Sequence, residues 1–97
     1  MIESAFKYKD ELLIICLGAL TNIACAMMKT ADFEDHLGLL VSLCGNILGL
    51  GFMNNGVAEY NVHTDPEAAH LVFKVLAKKL IVIPYEGVIS VSDFTVF

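Results

Sequence analysis

The sequence predicts an α/β chain: a partial open parallel sheet with helical crossovers, in the order βαβαβ. Three observations predict it. Short, mainly apolar runs occupy residues 12–17, 39–44 and 80–83, the second holding the one polar residue Ser42, and polar or glycine-containing stretches separate them. Between the runs, apolar residues recur at helical spacing. The chain is also 57% hydrophobic, against about 45–50% in ordinary globular chains. Strands of a parallel sheet covered by helices on both faces account for such an excess.

Each element has its own signal. Leu12-Leu13-Ile14-Ile15-Cys16-Leu17 reads as a strand buried on both faces, and Gly18-Ala19 allows a close turn after it. Leu20, Ile23, Ala24 and Met27 then predict a helix over about 20–29. Asp32 is placed to cap a short helix carrying Glu34 and Asp35 in its first turn. The run 39–44 is the second strand, ended by Gly45-Asn46. A permissive loop follows, with Gly49, Gly51, Asn54 and Asn55. Asp65-Pro66-Glu67 is a strong helix start: a capping carboxylate, a proline at the first helical position and an acid at the positive helix end. Ala68, Leu71, Val72, Val75 and Leu76 give that helix an apolar face. Leu80-Ile81-Val82-Ile83 is the third strand, stopped by Pro84. The tail 87–97 alternates weakly and finds no partner in the sequence.

Composition excludes several functions. The formal charge is −5, and the basic residues are six lysines without an arginine. A phosphate backbone needs a basic surface and is usually gripped by arginine forks. Lys74, Lys78 and Lys79 read as a solvated helix face, so no nucleic-acid partner is expected. Cys16, Cys25 and Cys44 form no CxxC pair and have apolar neighbours, which predicts reduced, buried thiols and a cytoplasmic protein. The uncharged stretch 12–28 reaches only the lower edge of membrane-spanning length. Gly18, Thr21 and Asn22 break it, so two short buried elements are expected there. His36, His63 and His70 lack metal-ligand spacing, and Gly49-Leu50-Gly51 does not extend to a dinucleotide fingerprint.

Ligands of open parallel sheets bind beyond the carboxyl ends of the strands. Polar residues collect at those places here: Asn54, Asn55, Glu59, Asn61 and Glu86. Glu59 and Asn61 are two apart, so on an extended segment their side chains share one face. A carboxylate beside an amide can hold a pair of vicinal hydroxyls, as on a sugar. The same residues also fit a solvated, asparagine-rich loop.

These residues carry a resemblance. Val57-Ala58-Glu59-Tyr60-Asn61, followed by Asp65-Pro66-Glu67-Ala68-Ala69-His70-Leu71-Val72-Phe73, is similar to the AEFN…DPEAA…VF segment of inosine–uridine-preferring nucleoside hydrolases. Leu17-Gly18-Ala19-Leu20-Thr21-Asn22-Ile23-Ala24 resembles the family's LGPLTNIA. Leu43-Cys44-Gly45-Asn46 resembles its MGGN, and Ile83-Pro84-Tyr85-Glu86 its LPWE. Order and spacing agree over about residues 12–86, with 1–11 and 87–97 as divergent ends.

The resemblance implies a slice of a nucleoside hydrolase-like fold and a hydrolase that cleaves the N-glycosidic bond of ribonucleosides to base and ribose. Glu59 and Asn61 match ribose-contacting positions. The family's further asparagine falls at Met53, with Asn54 one position away as the substitute. The family's calcium takes a main-chain carbonyl that corresponds to Leu17. Its aspartate cluster, which binds calcium and activates water, and its late histidine–aspartate pair have no counterpart in this sequence. Calcium needs six to eight oxygens, so the chain is expected neither to bind it alone nor to hydrolyse a nucleoside alone. A non-catalytic truncated fragment or interaction protein, and a small membrane-associated protein, are the competing readings. Self-association through exposed sheet edges or apolar faces is the expected consequence of an open slice.

Overall fold

A computed structural model describes residues 1–49 and 56–92. Among the described residues nine elements follow one another: α1 (Ile2–Lys7), β1 (Leu13–Cys16), α2 (Thr21–Lys29), α3 (Phe33–His36), β2 (Leu39–Leu43), α4 (Tyr60–Thr64), α5 (Pro66–Val75), β3 (Leu80–Ile83) and α6 (Tyr85–Ser92). The three strands form one sheet in the order β1-β2-β3, and both pairs are parallel. The α/β class and the parallel sheet with helical crossovers are therefore as the sequence predicts.

Right-handed crossovers are nearly universal between parallel strands. When strand order advances in one direction, as here, that hand places every crossover on the same face. Accordingly α2 and α5 pack against each other and cover a single face of the sheet. The core lies there: Ile23 and Ala24 of α2, Ala68, Ala69 and Val72 of α5, and Leu40 at the centre of β2 are all buried. Phe33 and Leu37 close one end of it. Double-sided burial of the strands is thus corrected. Leu13, Ile15, Ile81 and Ile83 point away from α2 and α5 and are exposed.

Local chemistry explains the boundaries. Asp65 caps α5 as expected, its Oδ1 accepting from the Ala68 N–H at 3.0 Å. Asp32 does not cap α3 through its side chain. It sits in the left-handed region (φ 64°) and offers its carbonyl instead, to the Asp35 and His36 amides and to His36 Nδ1 at 2.7 Å. Lys79 Nζ donates to the carbonyls of Glu34 and Asp35 at 3.0 and 3.2 Å, satisfying the end of α3. It is therefore only partly a solvated lysine. Gly38 is required by close approach: a Cβ there would lie 2.5 Å from the Asp10 carbonyl oxygen.

Three helices escape the sequence reading. At the first, α1, Ala5 is fully buried, and Phe6 stacks on His36 with ring centroids 4.1 Å apart. The short α4 occupies what reads as loop, and α6 begins directly after Pro84, where weak alternation suggested an extended tail. The stretch 12–28 divides into β1 and α2, and no helix among the described residues is long and apolar enough to cross a membrane.

Candidate functional site

The carboxyl ends of β1 and β2 are tied together by residues 59–61. Glu59 is the N-cap of α4, with extended backbone (φ −75°, ψ 143°). Its Oε1 accepts from the Asn61 N–H at 2.9 Å, and its Oε2 from the Val62 N–H at 3.0 Å. Oε2 also accepts from the Gly45 N–H at 3.0 Å, fourteen residues away. One side chain thus satisfies two open amides of a helix start and anchors the loop that leaves β2. Gly45 takes a positive φ of 71° to make that turn, and its carbonyl accepts from the Tyr85 N–H at 2.9 Å.

Asn61 lies in the first turn of α4, not on an extended segment, so it does not project beside Glu59. Its Nδ2 donates to the Leu43 carbonyl at 2.8 Å and to the Leu17 carbonyl at 3.2 Å. Both of its amide hydrogens bridge the ends of the two strands. Glu59 and Asn61 are only 6% and 8% exposed, as expected of polar groups whose bonds are made inside the protein.

Beside this brace is a cavity of about 380 Å³, lined by Gly45, Asn46, Val57, Glu59, His63 and neighbouring residues. Glu59 reaches both the brace and the cavity; Asn61 stands behind it. Asn46 Nδ2 donates to the Val57 carbonyl at 2.5 Å, joining two of the residues that line the cavity. The Glu86 carboxylate accepts from the Ile47 and Leu48 amides at 2.8–3.1 Å, so the third strand end contributes a further loop anchor. Asn54, Asn55 and Met53 lie outside the described residues.

Two titrating groups near the strand ends are shifted. Burial pushes the Cys44 thiol up from its ordinary value; the Ser42 side chain opposes this, and the charges of Glu59 and Cys16 add to it. A thiol so placed is a poor nucleophile. Asp65 is held below the usual carboxylate range, first by the Thr21 hydroxyl, which donates to its Oδ2 at 2.5 Å, and then by the Ala68 N–H. The threonine of the LTN motif and the aspartate of the DPEAA motif are thus hydrogen-bond partners that join α2 to α5, which spacing along the sequence did not reveal. Cys44 is buried as expected, whereas Cys25 is exposed.

The described residues do not group into a calcium site. The Leu17 carbonyl already accepts a hydrogen bond from Asn61. Among the described residues, no three His, Cys, Asp or Glu side chains are grouped to hold a metal. One carbonyl falls far short of the six to eight oxygens that calcium takes.

A parallel sheet whose strand ends carry a buried carboxylate, an amide brace and an adjoining cavity defines an open α/β chain with its candidate site at the carboxyl edge. The model of the inosine–uridine preferring nucleoside hydrolases matches residues 1–95, so the chain belongs to that family. Uridine nucleosidase 1 of Arabidopsis thaliana is 39% identical over 71 residues, which cover 73% of this chain and 21% of that protein. A probable uridine nucleosidase 2 of Oryza sativa is 37% identical over 73 residues, covering 75% and 21%. A plant nucleoside hydrolase superposes with a TM-score of 0.78 at 30% identity, over 88% of this chain and 26% of that one. An inosine–uridine preferring nucleoside hydrolase of Bacillus anthracis gives 0.79 at 26% identity, over 88% and 29%. The chain thus spans between a fifth and a third of the length of these relatives.

Proposed function

We propose that the chain supplies one wall of a ribonucleoside site, serving hydrolysis of the N-glycosidic bond to base and ribose, and that it does not carry out the reaction alone. The observation that carries this reading is Glu59: a buried carboxylate at the carboxyl edge of the sheet that also lines a cavity. Breaking the bond between the sugar and the base develops positive charge on the ribose ring, as in other glycoside hydrolysis. A carboxylate that accepts ribose hydroxyls would favour that charge, and the three amides already fixed on Glu59 hold it in place without reorganisation. Asn61 keeps the Leu17 and Leu43 carbonyls, and so the floor of the site, at fixed separation.

The reaction also needs a positioned water and a proton for the departing base. The family's aspartate cluster and late histidine–aspartate pair, which would provide them along with calcium, have no counterpart in this sequence. Calcium, in this reading, is held by ligands from outside the chain.

The test is release of base from inosine and uridine by the purified chain, with and without calcium. No release above a chain-free control is expected. Calcium-dependent release by the chain alone would overturn the incomplete-site reading.

A further inference from the structure

Helices α2 and α5 lie side by side on the sheet, and their outer surface carries a groove with sorted charge. Both helices cross from the carboxyl end of one strand to the amino end of the next, so they run in the same direction. The Thr21–Asp65 hydrogen bond ties their amino ends together. Two cavities of about 180 and 150 Å³ follow between them, and Met28 and Leu71 line both, so the groove is continuous. Its apolar side chains stand open to solvent: Met28 is 71% and Val75 42% exposed. Asp65 and Glu67 line the amino end. Lys29 and Lys74 occupy the last turns of α2 and α5 and outnumber Glu34, which lines the groove at that end. Glu67 and Lys74 are exposed and make no ion pair among the described residues.

We infer that two copies of this chain associate through the α2–α5 face, antiparallel about a two-fold axis. Glu67 and Lys74 are seven residues apart, about two turns along one helix face, and Leu71 lies between them on that face. An axis crossing α5 at right angles beside Leu71 sets Glu67 of each copy opposite Lys74 of the partner subunit, so the pair forms twice. Met28 shares both cavities with Leu71 and falls near the same axis, so four apolar side chains meet at the centre. The opposed helices also bring positive ends against negative ones. A parallel pairing would set Glu67 against Glu67 and Lys74 against Lys74. A basic helix from another protein would meet acids at one end of the groove and lysines at the other. The second copy alone matches both ends. Area sets the strength. Helices of nine and ten residues, rising 1.5 Å per residue and each about 10 Å wide, cover roughly 300 Å² per copy. A stable interface takes about 800 Å² from each partner, so the dimer is a transient one, and its charge pairs make it sensitive to salt. The inference is independent of the proposed activity.

The test is sedimentation equilibrium of the 97-residue chain at concentrations up to about 1 mM, where an interface of this size is populated. A monomer–dimer equilibrium is expected, weaker at about 0.5 M salt than at about 0.05 M. Glu67→Lys and Lys74→Glu change exposed side chains and should leave the circular dichroism of the chain unchanged. Each alone sets like charges against each other at both contacts and should weaken the dimer by about tenfold or more. An equimolar mixture of the two variants restores both pairs and should dimerise as the wild type does. A wild-type chain that stays monomeric throughout would overturn the inference. So would a dimer indifferent to both substitutions, or a mixture that dimerises no better than the single variants. Association abolished by Ile15→Lys, on the other side of the sheet, and untouched by Glu67→Lys would overturn it as well.

Discussion

Replacing Glu59 with alanine removes one acceptor from three backbone donors at once: the Asn61, Val62 and Gly45 amides, at 2.9, 3.0 and 3.0 Å. The first two form the N-cap of α4, and losing such a cap costs about 1 kcal/mol. The third bond joins a carboxylate to an amide on another segment, and hydrogen bonds to charged groups contribute about 1.5–3 kcal/mol each. Solvent can reach the freed amides through the adjoining cavity, which offsets part of the loss. The expected destabilisation is about 2–4 kcal/mol, a large share of the roughly 5–15 kcal/mol that folded domains possess. Urea unfolding followed by circular dichroism reads it directly. With a slope of about 1.5 kcal/mol/M, the midpoint should fall by about 1.3–2.7 M. Glu59→Gln retains one carbonyl oxygen but turns an amide group toward some of the same donors, so its midpoint should lie between the two. A Glu59→Ala midpoint within about 0.3 M of wild type would refute the structural role and leave a residue that serves ligand contact alone.

Asn61→Ala removes the bridge to the Leu17 and Leu43 carbonyls and should cost about 1–2 kcal/mol, with faster amide hydrogen exchange at the carboxyl ends of β1 and β2 than elsewhere in the sheet. Gly38→Ala drives a Cβ to 2.5 Å from the Asp10 carbonyl oxygen. Backbone cannot step aside as a flexible side chain can, so a loss of about 1–3 kcal/mol is expected by thermal or urea unfolding. The carboxyl of Asp65 is depressed in the folded state by Thr21 and Ala68. Its contribution is therefore present above the unfolded value of about 3.9 and is lost as pH falls through the lower folded value. The stability gap between wild type and Asp65→Ala should be full at neutral pH and should close below about pH 4.

Periodicity made the frame legible. The runs at 12–17, 39–44 and 80–83 read as strands because they are short and almost wholly apolar, with Ser42 the one polar residue among them, and α5 is announced by Asp65-Pro66-Glu67 before its apolar stripe begins. What periodicity leaves out is coverage. An unbroken aliphatic run says that a strand is to be buried on both faces, and nothing about which segments bury it, so Ile15 and Ile81 read as core and stand exposed. The shortest helices were hidden for a related reason. Residues 59–64 hold one turn of helix, too short for a repeat, and its signal is the cap at Glu59, which read as a ligand-binding carboxylate. The hydrogen bond between Thr21 and Asp65 spans 44 residues. Both motifs were visible; their contact is a product of the crossover topology, which local spacing does not encode. Gly38 gave no signal beyond being a glycine ahead of a strand, and Asn54 lies outside the described residues.

Counting lone pairs sharpens what the site can accept. An ionised carboxylate offers about four acceptor positions, and three on Glu59 are taken by backbone amides. One remains. Asn61 has spent both amide hydrogens on strand carbonyls, while its Oδ1 accepts nothing from the described residues. Glu59, which lines the cavity, can therefore accept a further hydrogen bond there, and Asn61 cannot donate one without breaking the brace that holds β1 to β2. A sugar hydroxyl, which can donate, suits such a wall; a phosphate or a carboxylate, which can only accept when ionised, does not. In the proposed reading, hydrogen-bond donors, water and metal approach the ligand from the opposite side of the site.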